Sequence, residues 1–374
     1  MEKKIIYLDN AATTKPFPEA VKVVNDFCEN YYNPSSLYTP AFKARNAVEN
    51  VRKMVARKIN AEPHEIYFTS GGTESDNWAL KGNLKPGDHL ITSKIEHHAI
   101  LRTAEFLERN GVEVTYLNVN KYGFIDIDQL EKEIKDNTAL ISIMSVNNEI
   151  GTIQDIDKIG EIAHKHNIKF HTDAVQAMCH IPIDVKEMKI DMLSASAHKF
   201  GGIKGTGFLY VKDGLISPFI LGGGQENEYR AGTENVPGIM AMGKAIELSK
   251  YYYDIQNIRN YFAEEILDNI DGAMINNPLC KSLPNCLSMR FEGIKGEELA
   301  GFLDLYNICV STGSACNSKY NQPSHVLKAI GLSDEEANST IRFSLGFDFD
   351  KNKADYVVHC LEKSIRQLKT VQEY

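Results

Sequence analysis

Short apolar runs rich in β-branched residues alternate with longer amphipathic stretches over the first half of the chain. The runs that predict strands lie at 64–70, 88–93, 112–119, 139–146, 169–175 and 192–197. The stretches between them, such as SDNWALKG and DIDKIGEIAHKHN, have the amphipathic character of helices. This alternation predicts an α/β fold whose large, mostly parallel sheet is covered by helices on both faces. Two further runs, 205–212 and 215–221, follow each other closely and predict antiparallel additions to the sheet.

The pattern changes after about residue 235. A long helical stretch over 235–265 is followed by the strand-like run CLSMRF, a helix near 296–306, the strand-like run STIRFSLG and a last helix near 351–370. We therefore predict a second, smaller α+β domain. The predicted boundaries give residues 14–255 to the large domain, and residues 1–13 and 256–374 to the small one.

Composition narrows the class of protein. The chain has 374 residues, 43% hydrophobic and 24% charged, which is typical of a globular protein long enough for two domains. Its net charge of −9 argues against a nucleic-acid-binding surface. No apolar run is long enough to span a membrane, and the N-terminal residues lack the apolar core of a secretion signal. The seven cysteines are scattered without a C-x-x-C pair, so we expect no disulfide framework, no structural metal and a cytoplasmic protein.

Polar residues at the ends of predicted strands are the candidates for chemistry, because ligands of α/β sheets bind beyond the carboxyl ends of the strands. In TSGGTESDN, Gly72 and Thr73 follow a strand and open a helix, where backbone amides favour an anion. The plainer interpretation is a capped turn. Asp173, in HTDAVQ, falls at the end of a predicted strand, and Lys199 follows the run MLSASA. Taken alone, the lysine would be a solvated surface residue.

One ligand would use all of these residues together, and it is pyridoxal phosphate. This cofactor needs a lysine for a Schiff base, a carboxylate that keeps its pyridine nitrogen protonated and a cup for its phosphate. Lys199, Asp173 and the turn at Gly72 and Thr73 would supply them. Two further donors, Ser196 and His198, would help to hold the phosphate.

A series of ordered motifs then identifies a resemblance. From residue 7 to about residue 347 the chain contains YLDNAATT, NPSS, FTSGGTESDN, EHHA, VNNEIGT, HTDAVQ, SAHK, KGTGFLY, RAGTEN, STGSACNS, PSHVL and IRFSLG. This series resembles that of the cysteine desulfurases, which are fold type I pyridoxal-phosphate enzymes of the class V aminotransferase group. The residues around Cys316, the cysteine of this series, resemble those of the long-loop, group I members.

The resemblance implies a role for each matching residue. Lys199 would form the Schiff base and remove the α proton, and Asp173 would bind the pyridine nitrogen. Gln176 would bind the phenolic oxygen of the cofactor, while His97 would stack on the ring and help to move protons. The phosphate ligands would be Thr73, Ser196 and His198, together with Thr233 from a second subunit, which implies a homodimer. Without the motif, His97 would be a loop histidine.

The resemblance also implies a substrate and a path for its sulfur. Arg342 would clamp the carboxylate of L-cysteine, assisted by Asn148, although an arginine at the surface and a turn asparagine are plainer interpretations. Cys316, in the small polar run STGSACNS, would take the sulfur as a persulfide, leaving L-alanine. Such small residues predict a mobile tether that lets the thiol collect the atom and deliver it elsewhere. The alternative is an incidental exposed cysteine.

The acceptor of the sulfur and some alternatives stay open. The acceptor would be an iron–sulfur scaffold protein or a tRNA-thiolation enzyme. Family members that serve the scaffold usually have a longer stretch after the last helix, so the resemblance favours the scaffold less. Ile203 and Tyr38 stand where the family commonly has proline and histidine, and neither position has a proposed chemical role. A selenocysteine lyase or another class V enzyme would use the same fold. A non-catalytic sulfur-relay protein is the more remote alternative.

Overall fold

A computed structural model describes residues 5–251, 255–312 and 323–372. The strands are β1 (Ile6–Tyr7), β2 (Ile66–Thr69), β3 (His89–Ser93), β4 (Glu113–Leu117), β5 (Thr138–Ser142), β6 (Lys169–Asp173), β7 (Met192–Ser196), β8 (Gly207–Val211), β9 (Ala273–Ile275), β10 (Cys286–Phe291), β11 (Ile308–Cys309), β12 (Ser311–Thr312) and β13 (Thr340–Ser344). The helices are α1 (Pro18–Glu29), α2 (Thr39–Ile59), α3 (Gly72–Lys81), α4 (His98–Arg109), α5 (Ile127–Lys132), α6 (Ile156–Lys165), α7 (Val236–Leu248), α8 (Gln256–Asn269), α9 (Gly296–Asp304), α10 (His325–Ala329), α11 (Asp334–Asn338) and α12 (Lys351–Gln372). Within the described ranges, no helix has both the length and the apolar character that crossing a bilayer requires.

The large sheet has seven strands in the order β2-β8-β7-β6-β5-β3-β4. The five strands from β7 to β4 are parallel, and β8 is antiparallel to both of its neighbours. The predicted mostly parallel sheet is therefore confirmed, as is the antiparallel strand within 205–212.

The prediction of a second antiparallel strand, over 215–221, is wrong. Apart from a single bridge between Ile220 and Arg230, the segment pairs with no strand. It packs instead along α3, because the Trp78 indole donates a hydrogen bond to the Ser217 carbonyl over 2.8 Å. Pro218 also lacks the N–H that a ladder of strands requires.

Alternation along the strands explains why helices cover both faces of this sheet. In β8, Phe208 and Tyr210 belong to one apolar cluster, while Leu209 and Val211 belong to another on the opposite face. Residues of α2, α6 and α7 complete the first cluster, and residues of α3 and α4 complete the second. The predicted helical cover on both faces is confirmed.

The second sheet has four antiparallel strands in the order β12-β13-β10-β9, and it packs with α8, α9 and α12 in a separate apolar cluster. The N-terminal residues belong with it, since β1 pairs with β11 and Leu8 lies in the same cluster. These contacts support a division into two domains. The boundaries themselves, after residues 13 and 255, stay a prediction.

The connectivity brings many separate chain segments to one edge of the large sheet. The parallel strands β3, β5, β6 and β7 all end at that edge, and β2 runs in the same direction. Asp173 is the last residue of β6, and the turns that follow the other four strands lead to Gly72, His97, Asn148 and Lys199. The fold therefore places residues from five strand ends next to one another.

A buried ion pair holds α2 against the large sheet. The Arg52 guanidinium donates two hydrogen bonds of 2.8 Å to the Glu226 carboxylate, which also accepts from the Phe68 amide over 2.9 Å. Both charged side chains are less than a tenth exposed. Glu226 holds this position with a φ of 45°, in the left-handed region that side chains rarely adopt. The hydrogen bonds of this pair therefore offset the cost of burying the charges and the cost of the uncommon backbone conformation at Glu226.

We predict that Arg52→Ala lowers the free energy of unfolding by about 3–5 kcal/mol, because it leaves the Glu226 carboxylate buried without a cation. Urea unfolding followed by circular dichroism measures the change. The matched control is Arg102→Ala, which removes the exposed pair with Glu105 and should cost no more than about 1 kcal/mol. Equal losses in the two variants would contradict the prediction.

Candidate active site

A cavity of about 340 Å³ lies at the carboxyl edge of the large sheet, and the second sheet contributes one of its walls. The predicted site residues that line it are Gly72, Thr73, His97, Asn148, Asp173, Gln176, Ser196, His198, Lys199 and Arg342. Thr233 does not line it. Cys316 lies outside the described residues. A larger cavity, about 1090 Å³, is lined by none of the predicted site residues.

Lys199 ends a short 3₁₀ turn, Ala197–Lys199, directly after β7. Its ammonium donates hydrogen bonds to the carbonyls of Ala11 and Ala12, over 2.6 and 2.9 Å. The segment around residues 11–14 is itself fixed, because the Thr14 amide donates to the His198 carbonyl over 2.9 Å. The N-terminal segment therefore holds the lysine at the cavity wall.

Two buried carboxyl groups lie close together across from the lysine. Asp173 accepts a hydrogen bond from the Val175 amide over 2.9 Å, and burial raises its pKa against the opposing effects of that bond and of the Lys199 charge. Asp76 is 1% exposed, and its pKa is raised well above the usual value by burial and then by the charge of Asp173. Because like charges this close disfavour double ionisation, the charge of one acid favours the protonated form of the other.

Asp76, Asp173 and His97 also bring oxygen and nitrogen atoms to within 4.8 Å of one another. These are metal-ligand types, but a cation there would compete with the Lys199 ammonium, whose charge already acts on Asp173. The geometry therefore favours an organic ligand that uses the lysine and the carboxylate together.

His97 is the N-cap of α4, where its Nδ1 accepts a hydrogen bond from the Ala99 amide over 3.2 Å. Burial lowers its pKa to about 4, with smaller contributions from the charges of Lys199 and His98. The ring is therefore neutral near pH 7. Because Nδ1 is an acceptor, the ring proton is assigned to Nε2.

The N-terminus of α3 forms one wall of the cavity. Gly71, its N-cap, has no side chain to cap the first-turn amides, and its φ is 150°. A Cβ atom on Gly72 would lie 2.5 Å from Cγ2 of Val175, so only glycine allows this close approach. Exposed first-turn amides of a ten-residue helix form a cup for an anion.

Arg342, on β13, reaches the cavity from the second sheet. It donates a hydrogen bond of 2.6 Å to the Asp9 carboxylate and one of 2.8 Å to the Asn148 carbonyl. Its contact with Asn148, the residue predicted to assist it, uses the backbone carbonyl, and the role in substrate binding stays a prediction. The arginine is 7% exposed, and within the described part of the chain its Nε has no hydrogen-bond partner.

Two further buried acids were not among the predicted site residues. Glu149 lines the cavity, and burial raises its pKa to about 7, opposed by a hydrogen bond from Ser324 and by the charge of Arg342. Glu96 lies behind His97 and accepts hydrogen bonds from the Ser93 hydroxyl, over 2.6 Å, and from the Met144 amide. Glu96 belongs to the motif EHHA and Glu149 to the motif VNNEIGT. Membership of these motifs was the only feature of the sequence that pointed to the two acids as site residues.

Thr233 lies elsewhere, in an exposed turn beside a cavity of about 200 Å³ that Arg230 and Glu226 also line. Arg230 is bound there by the Glu74 carboxylate over 2.7 and 3.1 Å. Any contact between Thr233 and the main cavity would thus have to come from another copy of the chain.

Comparisons with known proteins agree with this fold. The family model described as aminotransferase class V matches residues 6–357. A cysteine desulfurase IscS from Clostridium botulinum is 48% identical, and the match covers 97% of this chain and 95% of that protein.

Solved structures agree as well. A structure described as a NifS-like protein superposes with a TM-score of 0.90 at 36% identity, covering 98% of this chain and all of that one. A structure described as SspA in complex with cysteine gives a TM-score of 0.82 at 40% identity, covering 91% of this chain and 98% of that one.

We predict that Glu96→Gln becomes more stable relative to the unaltered protein as the pH rises from about 4.5 to 8. Burial, chiefly, raises the pKa of Glu96 to about 8 in the folded state. Because this value is above that of the unfolded chain, the native state loses stability as the pH rises through that window, by at most about 1.4 kcal/mol per pH unit. Glutamine has no proton to lose and can still accept from the Met144 amide.

Urea unfolding at several pH values between 5 and 9 measures the effect. The matched control is Glu105→Gln, which removes an exposed carboxylate on α4. A stability difference between Glu96→Gln and the unaltered protein that stays constant over this range would show the prediction to be wrong.

Proposed function

The chain belongs to the cysteine desulfurase family of class V aminotransferases, and on that premise we propose that it converts L-cysteine to L-alanine with pyridoxal phosphate as cofactor. The observation that carries the proposal is the meeting of Lys199, the buried Asp173 and Arg342 around one cavity. These three residues come from three separate parts of the chain. Each supplies one of the groups that an amino-acid substrate and this cofactor require.

The residues around the cavity fit pyridoxal phosphate. The Lys199 amine would hold it covalently, and the Asp173 carboxylate, beside Asp76, would bind its pyridine nitrogen. Its phosphate fits the uncapped first turn of α3, with Thr73, Ser196 and His198 as side-chain donors, while Gln176 would bind its phenolic oxygen. When bound, the cofactor stabilises negative charge at the α carbon of the amino acid.

Proton transfer in this site falls to Lys199 and His97. The carbonyls of Ala11 and Ala12 hold the lysine amine at the cavity wall, where it would remove the α proton of the substrate. His97 is neutral, and its Nδ1 is occupied by the Ala99 amide. Nε2 is therefore the nitrogen left to donate or return a proton.

Arg342 would bind the carboxylate of the substrate. Asp9 and the Asn148 carbonyl fix the guanidinium from behind, and Nε remains a buried donor without a partner among the described residues. A carboxylate would satisfy such a donor. The cysteine complex of the related SspA structure supports L-cysteine as the substrate.

Cys316 would receive the sulfur. The C–S bond of the substrate breaks, the sulfur joins Cys316 as a persulfide, and the remaining carbon takes up a proton to become the methyl group of alanine. Thr312, four positions before the cysteine, lines the cavity, and Ser311 pairs with Arg342 across the small sheet. The chain therefore enters this segment at the wall where the substrate would bind.

The partners follow from the same site. A phosphate contact by Thr233 needs a second subunit, because Thr233 lies outside the cavity of its own chain, so we infer a homodimer. A persulfide serves a sulfur-acceptor protein, either an iron–sulfur scaffold or a tRNA-thiolation enzyme. Free thiols throughout the described residues fit a cytoplasmic protein.

Two substitutions test the function. In the purified, cofactor-loaded protein, we expect Lys199→Ala to remove the visible Schiff-base absorption and to lower alanine formation by about 10²–10⁴-fold, since it removes a general base. Cys316→Ser should keep the absorption band and its response to cysteine but stop sulfide release in the presence of a reductant. Failure of the unaltered protein to bind the cofactor would refute the proposal. Unchanged sulfide release by Cys316→Ser would refute the role of Cys316.

We also predict that Arg342→Lys raises the KM for cysteine by about 10–100-fold, because lysine cannot form the paired hydrogen bonds of a guanidinium. Steady-state alanine formation measures it. The control is Arg290→Lys, in the same sheet, where the arginine binds Asn276 away from the cavity. The assignment of Arg342 to the carboxylate fails if its KM matches that of the control.

A further inference from the structure

The residues directly after the undescribed range 313–322 are attached to the cavity wall. The Ser324 hydroxyl donates a hydrogen bond of 2.5 Å to Oε2 of Glu149. Glu149 lines the cavity, and Ser324 is only 2% exposed. The contact joins residues 175 positions apart in the sequence, so it fixes one part of the chain against another.

The next residue makes a second attachment. His325 donates from Nε2 to the Glu96 carbonyl over 2.9 Å, and its ring lies 4.6 Å from that of His98. Behind these polar contacts, Val326 and Leu327 are fully buried in an apolar cluster with residues of the turns that lead to His97 and Asn148. The start of α10 is thus held by the same two turns that build the cavity.

The upstream end is fixed at the cavity as well. Ser311 and Thr312 line it, and Ser311 lies opposite Arg342 in the small sheet. Cys316 is four residues after Thr312 and eight before Ser324, so its Cα can lie at most about 14 Å from the first and about 29 Å from the second. Both anchors therefore limit where the thiol can reach.

We propose that Glu149 is a positioning residue for sulfur transfer: by accepting the hydrogen bond of Ser324 at the cavity wall, it fixes the downstream anchor of the segment that carries Cys316. This inference rests on the proposed function and adds a requirement to it. The carboxylate would not touch the sulfur. It would act through Ser324, on the approach of the thiol to bound cysteine.

Local geometry favours this role for Glu149 over a direct contact with substrate. The Glu149 amide donates to the Asn147 side chain over 2.9 Å, so its backbone is held by its own turn. Its carboxylate faces the charge of Arg342 and receives the Ser324 hydroxyl. Arg342 attracts a substrate carboxylate, whereas Glu149 offers it no positive charge and would repel it when ionised, so the acid is suited to holding the protein and not the ligand.

The test separates the steps of the reaction in the cofactor-loaded protein. Rapid mixing with cysteine reports substrate binding through the cofactor absorption, and mass spectrometry of quenched samples reports persulfide on Cys316. We expect Ser324→Ala to slow persulfide formation by about 10–100-fold while leaving the cofactor affinity and the cysteine-induced absorption change intact. Ser324→Thr, which keeps the hydroxyl, should remain within a few-fold of the unaltered protein, whereas Glu149→Ala, which removes the acceptor, should slow persulfide formation as Ser324→Ala does.

Ser333→Ala is the matched control for loss of a helix cap. Ser324 also accepts from the Leu327 amide at the start of α10, and Ser333 does the same for the Glu336 amide of α11 without facing the cavity. The control should transfer sulfur at the normal rate.

Three results would overturn the inference. Normal persulfide formation in Ser324→Ala would refute the anchor and leave the proposed function standing. If Ser324→Ala lost cofactor affinity and transfer rate equally, and Ser324→Thr did not restore them, the contact between Ser324 and Glu149 would have a merely structural role. Absence of persulfide in the unaltered protein would instead refute the proposed function, and the inference with it.

Discussion

The site depends on how this chain accommodates carboxyl groups that the fold removes from water. Asp76, Glu96, Glu149 and Asp173 all lie within or beside the cavity, and burial is the first cause of the raised pKa of each one. Isolated buried charges are too costly to keep, so such groups hold protons or find cations. Here the cations are Lys199 and Arg342, which the proposed chemistry also requires.

The N-terminal segment is what allows those two cations to share one cavity. Lys199 lies in the turn after β7 of the large sheet, and Arg342 lies on β13 of the small one. Residues 9–12 lie between them, with the Asp9 carboxylate on Arg342 and the carbonyls of Ala11 and Ala12 on Lys199. This segment also bridges to Ser344 at the end of β13, so it is fixed by backbone contacts before it binds either side chain.

The sequence was most informative where a local pattern determines the structure. The strand that ends at Asp173 and the strand that precedes Lys199 are short runs, and the strand–helix alternation over the first half of the chain was enough to predict a mostly parallel sheet. The 215–221 run shows the limit, since its apolar residues matched a strand but its backbone pairs with α3. Nothing local in the chain reveals that the Trp78 indole would reach that backbone.

Pairings between distant residues were the part that sequence could not supply. Roles for Lys199, Asp173 and Arg342 were predicted from residue type and from family resemblance, which require no knowledge of contacts. Glu149 was passed over because its significance lies in Ser324, 175 positions away, and in the charge of Arg342. Asp76 lies in the stretch whose plainer interpretation was a capped turn, whereas the fold turns it inward beside Asp173.

The same pairings explain why one cavity can serve two successive tasks. Arg342 is the point at which they meet: it lies opposite Ser311 in the small sheet, and its charge acts on Glu149, the partner of Ser324. A substrate carboxylate bound by this arginine would therefore lie between the two anchors of the segment that carries Cys316. On the proposed function, binding the amino acid and limiting the reach of the thiol would thus both involve Arg342. A change at this arginine should be felt in both steps, whereas a change at Ser324 should be felt in sulfur transfer alone.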